Sequence, residues 1–295
     1  MIRRANKQDK LIFQKIWNEY FAFDDEGFND YFFEEEFDRG EHYLIEENNE
    51  VITIASLYPL TIKLNNKLIK TSLISGVATL EQYRHRGYMK VLMQKILSLQ
   101  AYRELFTMIE AYDHHIYESL GFKPIYKRKC LKIKHNNYRC HYPLQEVEAE
   151  KLLMVYGQFM KRFNGFKLRQ LVDFERLITK AKYENSKFLL VGNESDNYGY
   201  CIYKLYDDKV KIEEIIYLNK QALETMLSYF KNQSLIELYV SEAEKLERFI
   251  DGECTSYVYG LVRINDYQLL DRLFDGKIKD IDDLFKGPLW FCEDY

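Results

Sequence analysis

The run Ser75-Gly76-Val77-Ala78-Thr79-Leu80-Glu81-Gln82-Tyr83-Arg84-His85-Arg86-Gly87-Tyr88-Met89 reads as a β-strand, a short basic turn containing glycine, and the start of a helix. The helix follows from apolar spacing: Met89, Leu92, Met93 and Ile96 recur at i, i+3, i+4 and i+7 within Tyr88 to Leu99. A first helical turn leaves backbone N–H groups without intrahelical partners, and the macrodipole adds partial positive charge there. A pyrophosphate suits that place. Arg84 and Arg86 bring charge for phosphate oxygens. Gly87, with no Cβ, lets the backbone come close to them. The strand edge at Val77, Ala78 and Thr79 offers main-chain hydrogen bonds to an extended ligand arm. A solvated charge cluster before a surface helix has the same pattern, so the run alone leaves both readings open.

Outward from this run, strands and helices alternate to about Asn136. Leu11, Ile12, Ile16, Trp17 and Tyr20 lie at helical spacing and predict an amphipathic helix over Leu11 to Tyr20. Glu41 to Ile54 and Tyr58 to Leu80 predict strands, with a hairpin turn at Asn65-Asn66. Pro124 opens a further strand-like run. The pattern resets at His141-Tyr142-Pro143, where a domain boundary is expected. Beyond it, Glu146 to Phe163, Lys167 to Lys180 and Leu223 to Phe230 predict helices. Phe188 to Val191, Tyr198 to Tyr206 and Lys209 to Tyr217 predict antiparallel strands turned at Asp207-Asp208. The last segment holds one strand-like run, Tyr257 to Ile264, and one helix opened by Asp266. The expectation is an α+β protein with domains at 1–140, 141–250 and 251–295, the last too short to fold alone.

Composition bounds the class. The 295 residues are 47% apolar and 30% charged with four prolines, which suits two sizeable cores and not a disordered chain. A formal charge of −4 gives no general attraction to nucleic acid or an anionic membrane. Polar residues interrupt every early apolar run, and none approaches the roughly 20 residues of a membrane span. Five scattered cysteines without a CxxC pair suggest reduced thiols in a cytoplasmic protein.

The quoted run resembles the signature of the GNAT superfamily of N-acetyltransferases, whose phosphate loop reads Arg/Gln-x-x-Gly-x-Gly/Ala. Arg84, Gly87 and Met89 stand at its three defined places, and Met89 departs from the small residue expected at the third. Tyr117-Glu118-Ser119-Leu120-Gly121-Phe122 resembles the superfamily's Tyr-x-x-x-Gly-Phe element. The resemblance implies acetyl-CoA as substrate, held by Val77, Ala78, Thr79, Arg84, His85, Arg86, Gly87, Tyr88, Met89 and Lys90. It implies Tyr117 as the acid that protonates the departing thiolate. A tyrosine pKa of about 10 keeps that group protonated at neutral pH; a core aromatic in a tyrosine-rich chain is the alternative.

The run Ile74 to Leu80, with Tyr83-Arg84 and Gly87-Tyr88, is also similar to the enhanced-intracellular-survival (Eis) branch. That branch joins a catalytic domain, a second GNAT-like domain without the phosphate loop and a sterol-carrier-like third domain. The resemblance implies tandem GNAT-type domains, each a mixed, mostly antiparallel sheet flanked by helices. Residues 141–250 lack the loop motif, Tyr257 to Leu270 resembles the entry to the third domain, and Leu289 to Tyr295 resembles the branch's tail. Only some forty residues remain for the third domain. The branch further implies that the terminal carboxylate, here that of Tyr295, accepts the amine's proton, and it leaves a homo-oligomer open.

Asp24, Asp25, Glu26, Asp30, Glu34, Glu35, Glu36, Asp38 and Glu41 crowd one early stretch among Phe and Tyr. Such a mouth attracts a cationic amine, an aminoglycoside, a polyamine or a lysine side chain, unless it is only a solvated acidic face. His114 and His115 invite a metal, yet neighbours on an extended chain point to opposite sides, so no metal is expected. Two other functions stay in view: a catalytically degenerate module that binds acyl-CoA or a partner, and an aminoacyl-tRNA-dependent peptidyl transferase. The second calls for a basic RNA-binding face that the composition does not offer.

Overall fold

The computed structural model describes residues 1–21, 26–111, 113–134 and 137–293. In chain order the elements are β1 (Ile2–Arg4), α1 (Lys10–Tyr20), α2 (Phe28–Tyr31), β2 (Glu41–Glu47), β3 (Glu50–Leu64), β4 (Lys67–Thr79), α3 (Tyr88–Gln100), β5 (Phe106–Glu110), α4 (His115–Glu118) and β6 (Lys123–Ile133). There follow β7 (Leu144–Gln145), α5 (Ala149–Phe159), β8 (Gly165–Lys167), α6 (Leu171–Tyr183), β9 (Lys187–Gly192), β10 (Asn197–Leu205), β11 (Lys209–Tyr217) and α7 (Lys220–Tyr229). The chain closes with β12 (Leu235–Ser241), β13 (Glu253–Ile264), α8 (Tyr267–Leu273), α9 (Ile281–Leu284) and β14 (Leu289–Trp290). The α+β class read from the sequence is the observed one: mostly antiparallel sheet flanked by helices.

Two compact units share these elements. The first contains Met1–Ile125, Val258–Lys286 and Glu293; the second contains Tyr126–Tyr257 and Gly287–Cys292. In the first, strands run in the order β1-β2-β3-β4-β5-β13. All neighbours are antiparallel except β4 and β5. Two asparagine pairs turn its hairpins. Asn65 and Asn66 have φ of 48° and 61°, as the sequence leads one to expect. Asn48 and Asn49, at 51° and 63°, break the expected single strand Glu41–Ile54 into β2 and β3. Asparagine tolerates the left-handed region that a tight two-residue turn demands.

Both faces of this sheet are packed. On one, Leu92, Met93, Ile96 and Leu97 of α3 meet Tyr43, Ile74, Ile109 and Tyr117. Burial of such side chains contributes roughly 1.5–3 kcal/mol each. On the other, Phe13, Ile16 and Trp17 of α1 join Phe32, Phe33, Phe37, Leu44, Ile54, Tyr58 and Ala78. Adjacent Tyr43 and Leu44 fall into different clusters, as strand alternation requires. His42 lies buried with this aromatic group, bonded through Nδ1 to Ser56 Oγ and through Nε2 to the Phe37 carbonyl. Burial lowers its pKa to about 4, so it is a neutral core residue.

In the second unit the order is β6-β12-β11-β10-β9-β7, with β11 and β12 parallel. Here α5 and α6 bury Tyr156, Phe159 and Phe174, while α7 buries Leu223, Met226 and Leu227. The boundary anticipated at 140/141 falls earlier, after Ile125. The reason is β6, whose Arg128–Ile133 pair antiparallel with β12 and so belong to the second sheet. Segment 251–295 likewise forms no unit of its own. Gly260–Ile264 of β13 pair with β5 in the first unit, and β14 pairs with β8 in the second. No helix among the described residues is long and apolar enough to cross a membrane. The five cysteines form no disulfide.

Glu104 sits buried at the base of the β4/β5 pair, accepting from Thr107 Oγ1 at 2.6 Å and Ser72 Oγ at 2.9 Å. Burial pushes its pKa up to about 7 from an ordinary 4.5, against the pull of those two bonds. The folded state therefore holds this proton more tightly than the unfolded chain, and stability falls as pH rises from 4.5 through about 7. Glu104→Gln should raise stability at pH 8 by about 1–3 kcal/mol and change it little at pH 4.5. Urea unfolding at the two pH values checks this; a variant no more stable at pH 8 contradicts it.

Candidate functional site

Beyond Ile74 the strand β4 leaves its parallel neighbour. Pairing with β5 covers Ser72–Ile74 against Thr107–Ile109 and goes no further. On its other side the register with β3 shifts, from Ser75 opposite Ser56 to Ala78 opposite Ile54. Two residues, Gly76 and Val77, thus stand against Ala55 as a bulge. Gly76 takes φ of +59°, and a Cβ there would lie 1.8 Å from the Trp17 ring. The bulge needs glycine on both counts. Val77 packs with the α3 cluster and Ala78 with the α1 cluster. The strand edge predicted to bind an extended arm is therefore the part of β4 that has parted from β5.

From Thr79 the chain enters the loop. His85 and Gly87 have φ of 61° and 84°, and Gly87 is the N-cap of α3, with no side chain capping its first N–H groups. Nothing lies within 4 Å of where a Gly87 Cβ would stand. An open, uncapped helix start faces outward, as an anion site requires. Arg84 donates from Nε to the Thr79 carbonyl at 3.1 Å and lies over the Tyr20 ring, 4.8 Å from its centroid. Arg86 lies over Tyr83 at 5.5 Å. Tyr83 and Tyr88 donate to Glu50 and Glu47, each at 2.6 Å. Met89 packs into the α3 cluster, so its bulk is directed to the core, and His85 and Lys90 are exposed.

Tyr117 lies on α4 and is buried within the cluster that also holds Val77, Tyr88 and Met89. Burial, helped by the nearby Asp113 carboxylate, pushes its pKa up to about 12. Among the described residues its hydroxyl has no hydrogen-bond partner. Gly121, at φ 85°, closes the turn behind it, and Phe122 meets the Tyr117 ring edge-on at 6.2 Å. Tyr295 lies outside the described residues. The tail before it is well held: Phe291 and Glu293 are buried, and the Glu293 carbonyl accepts from Tyr259 Oη of β13 at 3.1 Å.

Asp24 and Asp25 of the acidic stretch also lie outside the described residues. Several of the others carry partners. Glu36 is buried and bonded to Tyr31 and Arg39, Asp38 pairs with Lys10 at 3.3 Å, and Glu41 with Arg103 at 3.0 Å. Asp30, Glu34 and Glu35 remain exposed. The histidine expectation needs correction. His114 and His115 do not lie on an extended chain but on the turn into α4, where their rings meet at 4.0 Å. Asp113, His114 and His115 offer ligand atoms within 4.8 Å of one another, and His115 Nδ1 is bonded to Glu118 at 2.8 Å. Sequence periodicity identified α1 but gave no sign that Trp17 and Tyr20 reach this site.

Residues 1–125 match the family model of the acetyltransferase (GNAT) domain. No curated protein matches the chain. A conserved protein from Enterococcus faecalis V583, named "Probable N-Acyltransferase", is similar with TM-score 0.78 at 15% identity, over 90% of this chain and 72% of that one. A GCN5-related N-acetyltransferase from Anabaena variabilis gives 0.74 at 15%, over 90% and 73%. Eis1 from Mycobacterium abscessus gives 0.68 at 14%, over 90% and 74%. At such identities the likeness is one of fold.

The open space over Gly87 makes a direct test. A Cβ at position 87 meets no protein atom within 4 Å, so the main stability cost of Gly87→Val is the roughly 1–2 kcal/mol of a left-handed L-residue, but its side chain occupies the approach to the helix N-terminus. The variant should stay folded and lose most affinity for CoA. Arg86→Ala should lose less, since one charge-assisted contact is worth about 1.5–3 kcal/mol. Calorimetry showing unchanged CoA affinity in Gly87→Val rejects this placement.

Proposed function

We propose, on the match of residues 1–125 to the acetyltransferase (GNAT) domain, that the protein transfers an acetyl group from acetyl-CoA to a primary amine by direct attack in a ternary complex. The observation that carries this is the parting of β4 from β5 at Ile74, which runs straight into an uncapped helix start at Gly87. The separated strand suits the pantetheine arm, and the helix start suits the pyrophosphate. Arg86 and Lys90, both exposed beside Gly87, add positive charge.

In this mechanism a neutral amine attacks the thioester carbonyl while a main-chain N–H of Val77–Thr79 polarises its oxygen. The C–S bond breaks, the sulfur takes a proton from Tyr117, and the amine gives one up to a base. The raised pKa of Tyr117 suits a donor, because the phenol stays protonated throughout the working range. The exposed acids Asp30, Glu34 and Glu35 favour a cationic acceptor of the aminoglycoside, polyamine or lysine type.

A thiol-release assay with acetyl-CoA and a panel of such amines tests the reaction. Absence of amine-dependent CoA release from protein that binds CoA would overturn it. Tyr117→Phe should lower kcat by about 100-fold or more with CoA affinity kept. The rate of the native enzyme should not decline on the alkaline side below pH 10 through loss of this proton.

A further inference from the structure

Helix α1 touches the stretch 76–84 at both ends. In its last turn, Trp17 fills the space that a Gly76 side chain would need. At its last residue, Tyr20 Oη accepts a hydrogen bond from the Glu81 N–H at 2.8 Å. That N–H opens the turn Glu81–Tyr83, whose N-cap, Leu80, has no capping side chain, so Tyr20 supplies the missing acceptor. Three residues further, the Arg84 guanidinium lies over the same ring while its Nε holds the Thr79 carbonyl. One side chain from another element thus engages the first residue of that turn through its oxygen and the loop's first arginine through its face.

We propose that Tyr20 is a positioning residue for cofactor binding, holding the loop between Thr79 and Gly87 in the shape that receives the phosphates. The inference rests on the placement of acetyl-CoA described above. An exposed basic loop without this support must be ordered as the ligand arrives, and that ordering reduces affinity. With Tyr20 in place the ordering is done on folding. The phenol keeps its proton at neutral pH, since burial and the Glu19 carboxylate raise its pKa, so its oxygen carries a lone pair for Glu81 and a proton for Glu19. Because the hydroxyl and the ring act on different loop atoms, they are separable by mutation.

Three variants of the full chain make the test, read by calorimetric titration with CoA. Tyr20→Phe removes the oxygen and keeps the platform under Arg84. Glu81→Pro removes the N–H donor at a place that accepts proline: Leu80 stands at φ −53° and ψ 138°, the extended geometry required before proline, and Glu81 begins a helical turn. Each should raise the CoA Kd about three- to tenfold, the range of one hydrogen bond. The double variant should be no weaker than either single one, since both break the same bond. Tyr20→Leu, which also removes the platform, should be a further few-fold weaker. In turnover with kanamycin or spermine, KM for acetyl-CoA should rise in Tyr20→Phe while kcat is kept, a split that general loosening of the fold does not produce. Unchanged CoA affinity in Tyr20→Phe, or losses that multiply in the double variant, overturn the inference while leaving the site in place. Failure of the native protein itself to bind CoA overturns the site along with it.

Discussion

The steric conflict between Trp17 and any side chain at position 76 is the constraint on which the site is built. Only glycine can sit under the indole with φ of +59°, and that conformation places two residues of β4 against one of β3. The bulge bends β4 away from β5 just after their three-residue pairing ends. It also sends Val77 towards α3 and Ala78 towards α1, so both layers of the first unit grip the departing strand. An edge inside a sheet is normally satisfied by the next strand. Here that edge runs past Ile74 without its neighbour, because β5 ends at Glu110, one residue beyond the pairing.

The loop that follows is organised by aromatic rings as much as by charge. Each of its two arginines lies over a tyrosine, Arg84 over Tyr20 and Arg86 over Tyr83. Such contacts are worth roughly 0.5–1 kcal/mol at exposed places, enough to bias a side chain without locking it. The hydroxyls of Tyr83 and Tyr88 are in turn anchored on Glu50 and Glu47 at the β2–β3 hairpin. These bonds tie the loop and the first turn of α3 to that hairpin. The shape of the loop at the α3 N-terminus is thus held by several weak contacts acting together.

The second unit offers a contrast at the corresponding place in its own sheet. There β11 and β12 pair in parallel over Lys209–Ile212 and Leu235–Leu238. Past that point β11 carries Glu214, buried, held by two 2.8 Å bonds from Arg169 and one from Tyr200 at 2.7 Å. Cys292 of the tail adds its thiol at 2.6 Å. Small residues line the strand in the first unit; in the second a buried ion pair occupies it. Removing one partner of such a pair strands a charge in a dry interior, typically a loss of about 3–5 kcal/mol, so this arrangement resists being opened. Residues 141–250 also lack the Arg/Gln-x-x-Gly-x-Gly/Ala motif.

Local signals are legible in the amino-acid sequence alone. The apolar spacing of α1 and α3, the Asn65-Asn66 turn and the glycine-bearing basic loop are properties of a few neighbouring residues, and backbone stereochemistry reads them directly. So is the α+β class, which follows from alternating periods along the chain. Other features depend on residues far apart in sequence. The placement of β6 with β12, and of β13 beside β5, depends on which edge was left unpaired once the other strands were in place. His114 and His115 changed from opposed to adjacent because a turn replaced an extended chain. Trp17 over Gly76, and Tyr20 under Arg84, bring together side chains roughly sixty residues apart in the chain, a juxtaposition that no local rule encodes. The sequence by itself determined the site's chemistry, because residue type dictates charge and backbone freedom; tertiary packing decided which residues hold it in shape.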